Sequence, residues 1–457
     1  MAFYGLLTAA LLAACCLYRE PVQNRGRRCD GRMTRERALN LCVLALLFTA
    51  MTVVAALRID VGNDYGNYVN TFHEIYMNGY VVTEPGFNLF VRLVYVLCGG
   101  ENYLVVFALF AAATSALFLR AMVDQSVDFR LSFALFMLMG LYFRTFNTVR
   151  YYFVLAVTLY SLRYVLRGEW GKFFIWIVAA ATFHKSVLVV IPLYFLAALP
   201  WRRWQVALGA VAAISLPVFR DFWMEIVLKL YPSYQNTVYL EKGTGLEGSL
   251  MGIVRCGAVL ALCLAVWKDE APVRRLEEED KGPDDAEGER FKGTKGIGKS
   301  DNVKGIDGIS RAEGIEETTG IRRTEKAERT DGILGRAAMK EEGRQRRTMR
   351  ILELPANRFY LKLNLLGLAV YTCASFLPLV SRFGYYLITA HVLLVPGILC
   401  RLPEGRKKRL LYAGTLVFSV LYFAYFLLTA HQEGVRVLPY HTWIFTEKEW
   451  LNGSFVF

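Results

Sequence analysis

Three polar residues interrupt a long apolar run in the middle of the chain. The run Phe173–Leu199 is too long for one membrane crossing and about right for two short ones, and His184-Lys185-Ser186 lies at its centre. A turn there would hold an imidazole and a cation at one membrane face. Ionisable groups against hydrocarbon are costly, so they tend to be functional. His184 is therefore a candidate general base, and a histidine bonded to a backbone carbonyl or to a neighbouring helix is the structural alternative.

Carboxylates, an arginine and aromatic residues are close together in a second segment, Arg58–Tyr68. Asp60 and Asp64 could orient or deprotonate a hydroxyl, and Tyr65 could stack on a sugar. The spacing partly resembles an acidic cation-binding loop. It lacks a third acidic position and the distal glutamate, so no metal is expected. A polar turn with local hydrogen bonds is the structural alternative.

Two further segments carry charge beside apolar runs. Glu84-Pro85 precedes the short apolar run Phe87–Cys98, where an acid would ordinarily serve as a helix cap. Asn147 and Arg150 are three residues apart and would share a helix face. An arginine at a helix N-terminus is unfavourable unless an anion binds there, and such a place suits pyrophosphate. An arginine that snorkels to the interface is the alternative.

Two later segments repeat this combination of charge and aromatic residues. Arg382 is followed by Phe383-Gly384-Tyr385-Tyr386, and Tyr440 follows Pro439 after the last apolar run. Tyr440 could cap a groove or anchor the chain at headgroup level. No nucleotide-binding or metalloprotease motif is present, so no cofactor is expected.

Composition indicates that membrane helices must position these residues. The chain has 457 residues, of which 55% are hydrophobic, and several apolar runs approach the length of a membrane span. Backbone polar groups in hydrocarbon must pair within the chain, so we expect an all-α polytopic membrane protein. The net charge of +13 could suggest nucleic acid, but the arginines cluster at the ends of apolar runs, where they set topology. No nucleic-acid partner is expected. About twelve spans are predicted: 2–18, 39–57, 102–119, 131–143, 151–166, 173–183, 187–199, 205–219, 250–267, 359–376, 385–400 and 410–429.

Charge asymmetry orients these spans and divides the chain. The arginine-rich connections are predicted to be cytoplasmic, which leaves the candidate residues outside. Residues 1–267 would form an N-terminal transmembrane bundle with outer loops 58–101 and 220–249. Residues 268–357 are charged, glycine-rich and nearly free of aromatics, which is typical of a disordered cytoplasmic loop. Residues 358–457 would supply the C-terminal spans and an outer tail.

Taken in order, these motifs resemble the EpsG family of Wzy-like O-antigen and exopolysaccharide polymerases. The matching elements cover most of the membrane-embedded chain, and the ordered set is more specific than any single motif. Tyr151 is a departure, since the family commonly has glutamine after the arginine, and the long loop is another. The elements are Val61-Gly62-Asn63-Asp64-Tyr65, Glu84-Pro85-Gly86-Phe87, Phe146-Asn147-Thr148-Val149-Arg150, Phe183-His184-Lys185-Ser186, Arg382-Phe383-Gly384-Tyr385-Tyr386 and Pro439-Tyr440.

The resemblance implies a multi-span glycosyltransferase of the bacterial cytoplasmic membrane, with a fold similar to the GT-C kind. Such an enzyme joins undecaprenyl-pyrophosphate-linked oligosaccharides at the outer face, and its other partners would be the lipid bilayer, a flippase and a chain-length regulator. Arg150 and Arg382 would stabilise the pyrophosphate leaving group. His184 would be the base, with Asp64 as the rival base or the group that orients the acceptor. Sugar-binding roles are expected for Arg58, Asp60, Tyr65, Glu84, Asn147 and Tyr440.

Three other functions remain alternatives. A lipid-linked oligosaccharide flippase would carry charged residues through the middle of the bilayer and an internal repeat of spans, and only His391 is a strong midplane candidate. A ligase that transfers finished polymer would share the same chemistry. A membrane acyltransferase would need a histidine with an Asp or Asn in a reaction cleft.

Overall fold

The computed structural model describes residues 1–19, 34–230, 246–272, 348–376, 380–432 and 435–444. These residues belong to two compact units. The first comprises Met1–Asp269 with Ile351–Phe457, and the second is Glu270–Arg350.

The first unit is built from helices. Its amino-terminal half contains α1 (Ala2–Cys15), α2 (Arg35–Ala56), α3 (Tyr65–Tyr76), α4 (Pro85–Cys98), α5 (Tyr103–Gln125), α6 (Phe129–Leu138), α7 (Leu141–Arg144), α8 (Val149–Leu166) and α9 (Trp170–Ala181). A 3₁₀ turn at Lys185–Val189 leads into α10 (Val190–Ala198), α11 (Arg203–Val218), α12 (Arg220–Leu230) and α13 (Leu246–Ala265). After a 3₁₀ turn at Ile351–Glu353 come α14 (Pro355–Cys373), α15 (Val380–Ile388), α16 (His391–Leu399) and α17 (Arg406–Thr429).

In the second unit the described residues form two short strands. β1 (Glu270–Pro272) pairs antiparallel with β2 (Thr348–Arg350), and Glu270 lies opposite Arg350. Most of the predicted disordered loop, residues 273–347, lies outside the described residues, so that prediction stays a prediction.

Several helices are long and apolar enough to cross a membrane. Among the described residues there are four: Arg35–Ala56, Tyr103–Gln125, Arg382–Leu399 and Arg406–Thr429. A bent pair, Arg203–Val218 with Arg220–Ile226, would be a fifth, and the other apolar helices are 10–17 residues long. The helical class is therefore confirmed, and these helices suggest a membrane protein, whereas twelve spans and a GT-C architecture are not confirmed.

Backbone breaks account for part of the difference in span count. The predicted span 131–143 is interrupted because Gly140 adopts a left-handed conformation, with φ of +67°, after α6 ends. A Cβ at that glycine would lie 3.0 Å from the Phe426 ring, so the turn is also closely packed. The predicted span 205–219 is followed by a 91° bend into α12. Hydropathy averages over such breaks and does not detect them.

An aromatic core holds the predicted outer loop 58–101 against α5. Tyr65, Phe72, Phe87 and Phe107 are each 1% exposed or less and pack in one cluster. The Tyr65 and Phe107 rings stack with centroids 4.7 Å apart. Burying such a side chain stabilises a fold by roughly 1.5–3 kcal/mol. The loop is consequently a folded layer, and α3 and α4 are fixed in position.

A segment near the carboxyl end, Val435–Ile444, packs against this layer. The backbone N–H of Gly62 donates to the Arg436 carbonyl over 2.8 Å, and that of Ile59 donates to the His441 carbonyl over 3.0 Å. Arg436 also forms an ion pair with Asp60, with Nη2 and Oδ1 2.6 Å apart. The predicted outer loop 58–101 is thus held by a segment more than 350 positions later in the sequence.

Candidate functional site

The site begins at a glycine turn before α3. Gly62 has a φ of +102°, and a Cβ there would lie 2.6 Å from the Phe146 carbonyl oxygen. Only glycine allows both the conformation and the approach. The approach brings the Asp64 backbone N–H to Asn147 Oδ1 over 3.0 Å. Asn147 therefore positions Asp64 at the amino end of α8.

The Asp64 carboxylate lies between a hydroxyl and two cations. Thr148 Oγ1 donates to Asp64 Oδ2 over 3.2 Å. Burial raises the pKa of Asp64, while the charges of Arg382 and Arg150 and the Thr148 hydrogen bond act in the opposite direction. The result is a raised pKa, so Asp64 is a stronger base than an ordinary aspartate.

Glu84 is at the centre of the site. It precedes α4, but its side chain makes no capping hydrogen bond. Its Oε2 accepts from Arg150 Nη1 over 2.7 Å, and its Oε1 lies 3.3 Å from His184 Nδ1. The Lys185 backbone N–H donates to the same Oε1 over 3.0 Å. Glu84 thus joins α8 to the turn after α9, which a helix cap would not do.

Docking of α4 on α9 makes this contact possible. The backbone N–H groups of Gly86 and Phe87 donate to the Thr182 carbonyl over 2.9 and 3.2 Å. A Cβ at Gly86 would lie 2.2 Å from Thr182 Oγ1, so the helices approach as closely as a glycine permits. The amino end of one helix therefore caps the carboxyl end of the other.

The protonation states of Glu84 and His184 follow from their surroundings. Burial acts to raise the pKa of Glu84, but the hydrogen bond with His184, the Arg150 charge and the Lys185 amide together lower it to about 2. Burial lowers the pKa of His184, and the nearby Arg382 and Arg150 lower it further against the opposing effect of Glu84. A glutamate anion therefore faces a neutral imidazole at neutral pH.

His184 has the geometry of a base that is held by a carboxylate. Because Glu84 is ionised, the imidazole Nδ1 carries the proton and donates a hydrogen bond to Glu84 Oε1. The lone pair of the neutral imidazole is therefore on Nε2. Nε2 is buried and has no hydrogen-bond partner in the described part of the chain. The Tyr151 ring packs edge-on against the imidazole at 5.9 Å. Nε2 is thus free to accept a proton from a bound hydroxyl.

Arg150 is held in place by aromatic rings. Its guanidinium lies 4.7 Å from the centroid of Phe87 and 5.7 Å from that of Tyr68. Its backbone N–H donates to the Tyr68 hydroxyl over 3.3 Å. The side chain is 20% exposed, and Nε has no partner among the described residues. Arg150 can therefore bind an anion in addition to Glu84.

Arg382 is tied to the same site through α15. The Tyr151 hydroxyl donates to the Arg382 carbonyl over 2.6 Å, and Ser186 Oγ lies 2.9 Å from the Tyr386 hydroxyl. The Arg382 charge acts on both Asp64 and His184. Tyr151 thus supplies a polar contact that positions the backbone of Arg382.

Four predicted sugar-binding residues lie elsewhere. Arg58 is 2% exposed, with its guanidinium 4.9 Å from the Phe107 ring, and Asp60 is paired with Arg436. Tyr65 is buried in the aromatic core, and the Tyr440 hydroxyl donates to the Val54 carbonyl over 2.9 Å. These side chains support the loop that carries Asp64, and sugar contacts by them stay predictions. No group of three or more His, Cys, Asp or Glu side chains suited to a metal occurs in the described residues.

Sequence reasoning missed two positioning residues, Thr148 and Tyr151. Both lie within two positions of Arg150, but a hydroxyl that contacts a residue distant in sequence leaves no spacing pattern. Glu84 was found but was interpreted first as a helix cap. Its pairing with His184 spans 100 positions and was not predictable from local sequence.

The EpsG family model matches residues 41–275 and 341–442, which is well over half of the chain. The matched ranges include the five ionisable residues of the site, which are Asp64, Glu84, Arg150, His184 and Arg382. No curated protein and no solved structure matches the chain.

Proposed function

Because the chain belongs to the EpsG family, we propose that it is a polysaccharide polymerase of the bacterial cytoplasmic membrane. Its substrates would be oligosaccharide repeat units linked to undecaprenyl pyrophosphate, joined at the outer face for exopolysaccharide, capsule or O-antigen synthesis. One observation supports this most: a neutral histidine, oriented by a glutamate, lies beside Arg150 and near Arg382. Glycosyl transfer from a pyrophosphate needs a base and cations together.

In the proposed reaction, His184 Nε2 takes the proton of the acceptor hydroxyl. The hydroxyl oxygen bonds to the anomeric carbon as the bond from that carbon to the pyrophosphate oxygen breaks. The electron pair of the broken bond leaves with the pyrophosphate, and Arg150 and Arg382 stabilise the added charge. Glu84 keeps the imidazole in the required tautomer. Every residue in this scheme belongs to the chain, and the scheme uses no cofactor.

Asp64 would orient the acceptor hydroxyl, and it is the rival base. Its raised pKa increases its basicity, and its backbone is fixed by Asn147. His184 is the stronger candidate because Nε2 has no partner in the described residues, whereas Asp64 Oδ2 already accepts from Thr148.

The proposed function also implies where the lipid carrier lies and which other proteins take part. The polyprenyl tail would stay in the bilayer while the pyrophosphate reaches the outer face, as the twelve-span topology and a GT-C-like fold would allow. A flippase would supply the substrate, and a chain-length regulator would act on the product.

The function is tested by replacing Arg150 with Ala in a strain whose own copy is deleted. Loss of a transition-state donor costs about 10²–10³-fold in rate, so polymer should vanish while single lipid-linked repeats accumulate outside. The exposed Arg92 on α4 provides the control, and R92A should restore normal polymer.

Mass analysis of the lipid-linked sugars separates the alternatives. Single repeats that accumulate inside the membrane would indicate a flippase. Long chains that remain on the carrier would indicate a ligase. Normal polymer in R150A and in R382A would overturn the leaving-group role of these arginines.

A further inference from the structure

A cavity of about 370 Å³ lies between α6, α13, α16 and α17, outside the site described above. Its volume is in the range of small-molecule pockets. Most of its walls are aliphatic, including Leu135, Met139, Val259, Leu262, Val395 and Leu411.

Three of the polar residues that line the cavity are bonded within the protein. Thr415 Oγ1 donates to the Leu411 carbonyl over 2.8 Å, and Ser419 Oγ donates to the Thr415 carbonyl over 2.7 Å. His391 Nε2 lies 2.8 Å from Asn364 Oδ1. The fourth, Arg255, is 2% exposed, and its Nε has no partner among the described residues.

A second arginine lies close to Arg255. The Arg255 guanidinium is 5.3 Å from the Tyr385 ring centroid, and Arg144 approaches the same ring at 5.8 Å. Arg255 Nη1 also lies 3.3 Å from the Tyr385 hydroxyl and 3.4 Å from the Tyr422 hydroxyl. No acidic side chain in the described ranges pairs with either arginine.

Two neighbouring cations that are buried without an acidic partner are energetically unfavourable. Removing each charge from water costs several kcal/mol, and phenol hydroxyls and rings return only part of that cost. An anion between the guanidinium groups would offset it. Because one end of the cavity is cationic and its walls are aliphatic, a matching ligand has an anionic head and an apolar chain.

We propose that Arg144 and Arg255 bind the phosphate head of a second polyprenyl lipid, whose first isoprene units occupy the cavity. Tyr385 follows Arg382 by one helical turn on α15, so the cationic end adjoins the site. A polymerase joins two lipid-linked units, and Arg150 with Arg382 accounts for only one head group. The polyprenyl identity rests on the proposed function, whereas the anionic amphiphile follows from the charges and the cavity.

The test is a binding stoichiometry. Full-length protein in discs of neutral lipid is titrated with undecaprenyl phosphate, and bound lipid is counted by native mass spectrometry. The wild type should bind two equivalents, and R255Q should bind one, with at least about tenfold weaker binding at the lost position. R150A should also bind one, because it retains the cavity.

A cavity-filling variant covers the case in which R255Q does not fold. Gly414 lines the cavity, and a Cβ there meets nothing within 4 Å, so G414L should fold and block the chain. Gly209 on α11 is exposed with equally open surroundings, and G209L should still bind two equivalents.

Three results would overturn the inference: two equivalents in G414L, equal binding of the uncharged polyprenol, or displacement by inorganic phosphate at matching concentration. The last would indicate a free-anion site. If R150A retains two equivalents while R255Q and G414L bind one, the inference holds and the proposed head site at Arg150 fails.

Discussion

A single carboxylate, Glu84, orients the proposed base and holds one of its cationic neighbours. It contacts Arg150 and His184 with different oxygens, so both side chains are fixed relative to each other. The His184 pKa is lowered by burial and by two arginines, and only Glu84 raises it. The imidazole is therefore neutral through the physiological range, as a base must be before it reacts.

Replacing Glu84 with Gln should change the pH dependence of polymerisation. The wild-type rate should fall only at a pH below the ordinary histidine pKa, because burial and the two arginines lower the pKa of His184. The substitution removes the one influence that raises this pKa, so the acid limb should move to lower pH. The maximal rate should fall about 10²-fold because the base is weaker and no longer oriented. An acid limb at higher pH in E84Q would contradict this account.

Substitution of the two rival bases distinguishes their roles. H184Q should lower the rate by about 10²–10⁴-fold and abolish the acid limb, because no titrating base remains. D64N should lower the rate and keep the limb. The measurement is the pH profile of polymer formed from purified lipid-linked repeats. An unchanged profile in H184Q together with a lost limb in D64N would assign the base to Asp64.

Glu84 should also make stability depend on pH. Its folded pKa of about 2 is below the ordinary 4.5, so it stabilises the fold above about pH 4.5, and this contribution is lost as pH falls toward 2. The difference in thermal unfolding midpoint between wild type and E84Q should therefore shrink across this window. A difference that stays constant from pH 6 to pH 3 would refute the linkage.

The five ionisable residues of the site were predictable one by one, but their partners were not. His184 and Arg150 are recognisable because charge at the edge of an apolar run is costly. Glu84 looks like a helix cap from local sequence, and its partner lies 100 positions away. Arg58 was predicted to bind a sugar because it lies in a polar segment. Local sequence does not reveal that its side chain is 2% exposed between aromatic rings.

At the scale of elements, the α4–α9 contact determines whether the site exists. The amino end of α4 donates two backbone hydrogen bonds to the Thr182 carbonyl, and Glu84 immediately precedes this point. A small displacement of α4 would separate Glu84 from His184, because their atoms are already 3.3 Å apart.

Substituting Gly86 with Ala tests this contact. Alanine favours a helix by about 1 kcal/mol over glycine, but a Cβ here would lie 2.2 Å from Thr182 Oγ1. We expect lower stability and a rate reduced at least tenfold. Gly171 on α9 is the control, since its Cβ would meet nothing within 4 Å and G171A should be neutral or stabilising. Full activity in G86A would show that the close approach is unnecessary.

Apolar periodicity predicted most helices, but not where they break. The split at His184 was predictable because the apolar run is too long for one membrane span. The break at Gly140 was not, since the flanking residues are apolar on both sides and only a positive φ marks it. Hydropathy records composition, whereas these breaks depend on backbone conformation and on the packing of Phe426.

At the scale of the whole chain, the predicted orientation places all five ionisable residues of the site outside. The native cysteines allow a test, because Cys98 at the end of α4 and Cys16 after α1 are both exposed. A membrane-impermeant maleimide should label Cys98 in intact cells, whereas Cys16 should need a permeant reagent. The labelling of each cysteine is measured in a variant that keeps only that cysteine. The reverse labelling pattern would show that the chain has the opposite orientation in the membrane.

The contacts between Val435–Ile444 and the predicted outer loop 58–101 can form only late in the synthesis of the chain. A ribosome makes the Asp64 loop early, but the carbonyls of Arg436 and His441 that hold it come hundreds of residues later. During membrane insertion the loop that carries Asp64 therefore lacks these two contacts until the carboxyl-terminal segment is made. We expect a chain that ends before Val435 to be inactive, because this loop would not be held in position.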